Sequence, residues 1–207
     1  MKTLFFFCGL VLSSLSHASD PSYGRTWLGV FAKRPVHGSW SALSEIQFRY
    51  LNDDYRMQQL LVRTGVAREL TKNHEGALIY GFVQTNALKE HRPTLQLASR
   101  WSESVSSRLR LEWRKWEEDE TTSVRLRTLL RKDFELGGVP LVLWEEPFLN
   151  LTREERTGNR LLERNRAFFG TRTKLDHAVI EWGYLNQHTP RQNESVTEHV
   201  FVGYLFF

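Results

Sequence analysis

Cysteine is nearly absent. The single Cys in 207 residues, Cys8, stands in an apolar segment at the start of the chain. A product processed after that segment has no disulfide, no thiolate nucleophile and no cysteine metal site. Past it there is no apolar run approaching the roughly 20 residues that a membrane-spanning helix needs, no long linker rich in Pro, Gly or Ser, and no low-complexity tract. A membrane protein of this sequence has to be a closed barrel, the other structure that satisfies its own backbone in lipid. Histidines are present but show neither metal-ligand nor serine-base spacing: His37, His74, His91, His188 and His199 are scattered through turns and strand ends. Nothing points to a nucleotide, haem or metal cofactor.

What is there begins with an export signal. Lys2 is followed by an apolar run over residues 4–15, then by Ser16-His17-Ala18, which puts small residues where a signal peptidase reads. About twelve apolar residues are too few to anchor the chain as a helix. The expectation is a signal peptide over residues 1–18 and one mature domain over 19–207. Without Lys2 the chain carries 27 basic side chains against 24 acidic ones. The excess is small and its arginines alternate with apolar residues, which is not the clustered, solvent-facing pattern of a nucleic-acid binder.

That alternation is the main structural signal. Arg108-Leu109-Arg110-Leu111-Glu112-Trp113-Arg114 and Val124-Arg125-Leu126-Arg127 switch between charge and apolar bulk at every residue. On a strand this sends all the charge to one face. Period two predicts ten strands, over 40–51, 56–70, 75–85, 94–101, 107–116, 122–132, 139–149, 161–172, 175–186 and 196–207. From the third connection on, the connections alternate long or charged (86–93, 117–121, 152–160, 187–195) with short (137–138, 173–174), the rhythm of a barrel with external loops and periplasmic turns. Both chain ends in the periplasm require an even count. Residues 26–33 also look strand-like, which makes twelve the alternative. The last strand alternates Phe201, Gly203, Leu205 and Phe207, resembling the C-terminal signal read by the barrel-insertion machinery of Gram-negative outer membranes. The expected fold is therefore all-β: one transmembrane, antiparallel, up-and-down barrel with a charged lumen, monomeric and in contact with outer-membrane lipid.

Energetics orient the faces. One Arg on the lipid side costs roughly 2–4 kcal/mol at mid-bilayer, so Arg108, Arg110, Arg125 and Arg127 together would cost on the order of 8–16 kcal/mol, as much as a domain's whole stability of about 5–15 kcal/mol. They must face the lumen. The same alternation sends Arg49, Arg63, Arg100, Arg114 and Arg131 inward, with Glu45, Glu69, Glu112, Glu146 and Glu181 as carboxylate partners. Trp40, Tyr50, Tyr80, Trp101, Trp113, Trp116, Trp182 and Tyr184 become outward, girdle-type aromatics.

Several segments in order, Glu45-Ile46-Gln47-Phe48-Arg49, residues 107–114, Arg125-Leu126-Arg127, Trp144-Glu145-Glu146-Pro147-Phe148, Asn165-Arg166 with Gly170, and Gly183-Tyr184-Leu185-Asn186, resemble the bacterial barrels grouped as domain of unknown function 2490. Glu163-Arg164 ahead of Asn165 departs from that pattern. The resemblance covers nearly the whole mature chain and implies an exported outer-membrane barrel, with no catalytic residue to transfer.

A ten-stranded lumen is barely wider than one that side chains fill. Its charges predict a structural ion-pair network, with a narrow anion-preferring path as the alternative because arginine outnumbers acid. An enzyme is not expected. Asp53-Asp54 and Asp176-His177 look like acid and acid/His couples, but the topology sets them at opposite ends. A soluble, lipocalin-like binder would need the arginine face in solvent. Asn150-Leu151-Thr152 and Asn193-Glu194-Ser195 read as loop residues.

Overall fold

The computed structural model describes residues 22–53, 56–118, 122–152, 160–191 and 195–207. The leader over residues 1–18, Asp54 and Asn193-Glu194 lie outside them. Eleven strands follow one another: β1 (Ser22–His37), β2 (Trp40–Leu51), β3 (Met57–Thr71), β4 (His74–Thr85), β5 (Lys89–Arg100), β6 (Val105–Trp116), β7 (Thr122–Leu136), β8 (Val139–Asn150), β9 (Leu162–Lys174), β10 (Val179–Thr189) and β11 (Val196–Phe206). Each pairs with its neighbours in sequence, and β1 against β11 closes the barrel. The fold is all-β.

Neither ten nor twelve strands was the right count. The added strand is β1, which takes in residues 26–33 and extends well beyond them. Its signal is weak because Gly29 and Phe31 stand among the inward residues, so both faces read as apolar or small. An odd number forces one parallel pair, and β1–β11 is that pair, in register from Ser22↔Thr197 to Phe31↔Phe206. The expectation of a wholly antiparallel barrel with both chain ends at one rim is corrected: β1 starts at the rim opposite to the one where β11 finishes. Two boundaries also move. β5 begins at Lys89 because Glu90 and Arg92 continue the inward alternation, with Glu90 opposite Trp116. Residues 175–178 form the β9–β10 turn, closed by Leu175 N–H donating to Ala178 C=O (2.8 Å).

The loop rhythm survives only in part, because the connection expected over 86–93 shrinks to 86–88 and is shorter than 101–104 and 175–178. At the rim near Phe207 the connections are residues 38–39, 72–73, 101–104, 137–138 and 175–178, and at the Ser22 rim they are 52–56, 86–88, 117–121, 151–161 and 190–195. Gly137 and Gly138 have φ of +59° and +82°. Two successive positive φ values give a two-residue turn whose twist matches its strands.

Gly170 and Gly183 face each other across β9–β10. A Cβ on Gly183 would lie 2.4 Å from Phe169 O and 2.5 Å from Gly170 Cα. Gly183→Ala should therefore lower stability by about 1–3 kcal/mol through overpacking. Gly203→Ala, which would meet only the tip of Leu28 at 3.3 Å, should cost much less. Urea midpoints of the two variants check the difference.

The barrel interior has two sectors. Trp27, Val142, Trp144, Phe168, Leu185, Val200 and Val202 form a buried apolar cluster inside β1 and β8–β11, with Trp144 stacked on Phe168 at 5.1 Å between ring centroids. The lumen is thus not wholly charged: its arginines and glutamates concentrate on β2–β9, with Glu181 of β10 and the Arg25–Glu198 pair of β1 and β11 outside that sector. Trp116 is also corrected: it is buried, opposite Glu90 and on the inward face of β6. Trp40, Tyr80, Trp101, Trp182 and Tyr184 are exposed, whereas Tyr50 and Trp113 are half-buried. Asn150 closes β8 and is buried, so it is not a free loop residue.

Candidate functional site

Alternation on β6 sends Arg108, Arg110, Glu112 and Arg114 inward, and the β6–β7 register sets Glu112 opposite Arg125 and Arg110 opposite Arg127. From these positions a single chain of alternating charges runs down the lumen. Starting near the Ser22 rim, Arg92 bonds Glu90 (2.7 Å), and Arg114 bonds Glu90 (2.6 Å) and Glu163 (3.3 Å). Arg125 then bonds Glu163 (2.9 Å) and, through Nε, Glu112 (3.0 Å). Arg127 links Glu112 to Glu146, each at 2.8 Å, and Arg108 bonds Glu146 (2.9 Å). Five guanidiniums and four carboxylates alternate without a break.

Burial makes this arrangement obligatory. Glu112 has no exposed surface, and an ion taken that far from water costs several kcal/mol unless it is paired and hydrogen-bonded. Each of its oxygens accepts from a guanidinium, Oε1 from Arg127 and Oε2 from Arg125. Phe148, also fully buried, supplies a ring face to several cations: Arg127 and Arg166 stand 4.4 and 4.5 Å from its centroid.

All twelve expected lumen residues lie on inward strand positions, but they form more than one group. The ladder gathers Arg108, Glu112, Arg114, Arg125, Arg127 and Glu146. Arg131 sits apart between Asp133 (2.8 Å) and Glu181 (2.6 Å), and Arg63 bonds Glu45 (2.5 Å) while standing 3.8 Å from Glu112 of the ladder. Three of the twelve have no carboxylate within ion-pair distance among the described residues. Arg49 lies 3.9 Å over Trp27 and donates to Gln47 and Gln59, Arg110 donates to Gln96 (2.7 Å), and Arg100 is exposed at the Phe207 rim. Residues missed from the sequence are Glu90, Arg92, Glu163, Arg166, Trp27 and Phe148. The first two continue β5's alternation and were legible there. Phe148 was hidden because both faces of β8 are apolar.

A cavity of about 470 Å³ opens at the Phe207 rim and reaches inward to Arg49 and Arg166. Towards the Ser22 rim the lumen is filled by Glu112, Arg125, Phe148 and Leu61, each at most 2 % exposed.

Other polar pairs sit on the outward face. Asn165 donates to Glu145 (2.7 Å), and Tyr184 O–H meets His199 Nδ1 (2.6 Å). His74 Nδ1 lies 3.0 Å from Ser99 Oγ, a pair that only the β4–β5 register creates. Among the described residues no carboxylate orients that ring. Asp53 follows β2 at the Ser22 rim and Asp176-His177 lie in the β9–β10 turn at the other, so they share no site. No cluster of three His, Cys, Asp or Glu suited to a metal ion occurs among the described residues.

The segments that define the chain meet in this barrel: Glu146 of β8 faces Arg166 of β9, and Gly170 faces Gly183. The sequence matches the family described as "Protein of unknown function (DUF2490)" over residues 24–198. The chain belongs to the DUF2490 family. That match spans β1 to the first residues of β11 and takes in the whole DUF2490 ladder. No curated protein and no solved structure matches the chain.

Proposed function

We propose that this DUF2490 chain is an exported outer-membrane barrel whose lumen is held closed by its ion-pair ladder, a structural barrel and not an open pore. The observation that carries the reading is the inversion of the usual globular pattern. Buried Glu112, Arg125 and Arg127 lie inside, while Leu78, Leu95, Leu109, Phe169 and Trp182 stand exposed around the outside. Contiguous apolar surface of this kind marks a lipid or partner interface. In this reading the Phe207 rim, with mostly shorter turns, faces the periplasm and the rim with the longest connections faces the exterior. The leader over residues 1–18 supports export, and β11, with its outward Phe201 and Leu205, is the strand assigned to the insertion machinery. No partner copy, nucleic acid or cofactor enters the reading, and it includes no catalytic role, since Asp53 and the Asp176-His177 couple lie at opposite rims. An inward charged face also disfavours a lipocalin-like carrier of apolar ligands.

Fractionation and conductance test it together. The protein should appear in the outer-membrane fraction, require detergent for extraction and show heat-modifiable mobility. In planar bilayers it should give no current steps, because the Ser22 half of the lumen is filled. Recovery in the soluble periplasm would overturn the membrane assignment. Regular anion-selective steps would favour the narrow path instead.

A further inference from the structure

We propose that the cavity at the Phe207 rim is a blind binding site for a small phosphate-bearing anion. Its lining carries ten Lys or Arg side chains against five Glu, and a positive surplus remains although Arg127 and Arg131 also pair with Glu112 and Asp133 outside the lining. Arg110 is the centre of that surplus. It is 7 % exposed, its one side-chain hydrogen bond goes to the neutral amide of Gln96, and the register puts Arg127 directly opposite. Arg63 and Arg108 also repel it, and Glu45 is the one carboxylate acting on it from beyond ion-pair distance.

Like charges directly opposite each other on a strand pair are destabilising, and a buried cation without a carboxylate is costly. The neighbouring ladder shows how this lumen pairs arginine when only stability is at stake: Arg125 and Arg127 each hold two carboxylates. Arg110 and Arg49 are not treated that way. An entering oxyanion would supply the missing charge, and guanidinium forks match phosphate oxygens in pairs. A volume of about 470 Å³ holds a phosphate with a small organic group. Because the lumen is filled beyond Glu112, the anion binds and leaves by the same mouth. The inference concerns the interior alone and does not depend on which membrane, if any, surrounds the barrel.

Titration calorimetry and thermal unfolding of the purified full chain in a zwitterionic detergent test it, with inorganic phosphate and glycerol phosphate as probes and chloride as the reference anion. Phosphate should bind, raise the unfolding temperature as a native-state ligand does, and weaken as salt rises. Arg110→Gln should weaken binding by about tenfold or more, the value of a charge-assisted bond. It should leave the apo protein no less stable than the parent, since no carboxylate loses its partner. Lys115→Gln, on the outward face near the other rim, should bind like the parent. Absence of both heat and thermal shift at millimolar phosphate would overturn the proposal, as would equal binding by Arg110→Gln. An Arg110→Gln protein that unfolds more readily than the parent would overturn it too, by making Arg110 a structural cation. Binding of anionic-lipid vesicles without binding of the soluble phosphates would assign the mouth to a lipid headgroup and overturn the soluble-ligand form.

Discussion

Glu112→Gln is expected to destabilise the barrel by about 3–5 kcal/mol, the range for breaking a buried ion pair by removing one partner. Glu112 has no exposed surface and joins the two halves of the ladder. A glutamine there keeps the shape but turns an N–H₂ toward Arg125 or Arg127 and leaves those two cations, with Arg63 3.8 Å away, short of charge. Glu75, paired with the half-exposed Lys33 at the Phe207 rim, is the comparison. Glu75→Gln should cost no more than about 1 kcal/mol, as exposed pairs do. The third arm replaces Glu112 with Leu together with Arg125 and Arg127 with Met. Apolar substitution of a whole buried cluster is often neutral or stabilising by about 1–4 kcal/mol, so the triple variant should be much closer to the parent than Glu112→Gln. The carboxylates Glu146 and Glu163, which also touch those arginines, set how close it comes. Urea unfolding in micelles, followed by tryptophan fluorescence, reads all three. A Glu112→Gln loss no larger than that of Glu75→Gln would remove the ladder from the account of stability.

The ladder and the apolar cluster divide the barrel between them. The ladder ties β5, β6, β7, β8 and β9 across the lumen through Glu90, Arg114, Arg125, Glu146 and Glu163. Trp27, Val200 and Val202 pack on the inside of the β1–β11 seam, where Phe31 and Phe206 stack at 4.7 Å. The seam is the one parallel pairing, slightly weaker per residue than an antiparallel ladder. Beyond the Arg25–Glu198 pair near the Ser22 rim, it is also where the interior is most apolar, so burial supports the closure that hydrogen bonds support less well.

The same division explains what the sequence made legible. Where inward charge alternates with outward bulk, as in Arg108 to Arg114, face, strand and site could all be read from period two. Where both faces are apolar, as in Val142-Leu143-Trp144 or around Gly29 and Phe31, alternation vanishes. There the sequence shows β1 only as a weak strand signal over 26–33 and hides the parallel seam and the inward platforms of Trp27 and Phe148. Trp116 was placed outward because an aromatic near a strand end fits a girdle; its position in the β6 period, two residues after Arg114, already pointed inward. Pairings such as Glu163 with Arg125, or His74 with Ser99, depend on barrel closure and register. No local pattern encodes those.

The outer face offers the sharpest test of what surrounds the barrel. Leu109 is exposed on the outward side of β6, midway along the strand and opposite Leu97 of β5. In a bilayer, Leu109→Arg should cost about 2–4 kcal/mol, because the guanidinium must be held near the midplane. Leu136, at the end of β7 beside the Gly137 turn, is more exposed still. By the same depth rule Leu136→Arg should cost about 0–1 kcal/mol, since it sits where headgroups and water begin. For a barrel in water no such gap arises, because both substitutions fall within about 0.5 kcal/mol of zero. Urea unfolding of the two variants in lipid vesicles checks the difference. A depth-dependent gap would identify the apolar exterior as a lipid-facing surface, whereas equal and negligible effects would show that Leu109 never meets hydrocarbon. The charges of Arg108 and Arg110 would then be enclosed for the lumen's own chemistry and not to keep them from lipid.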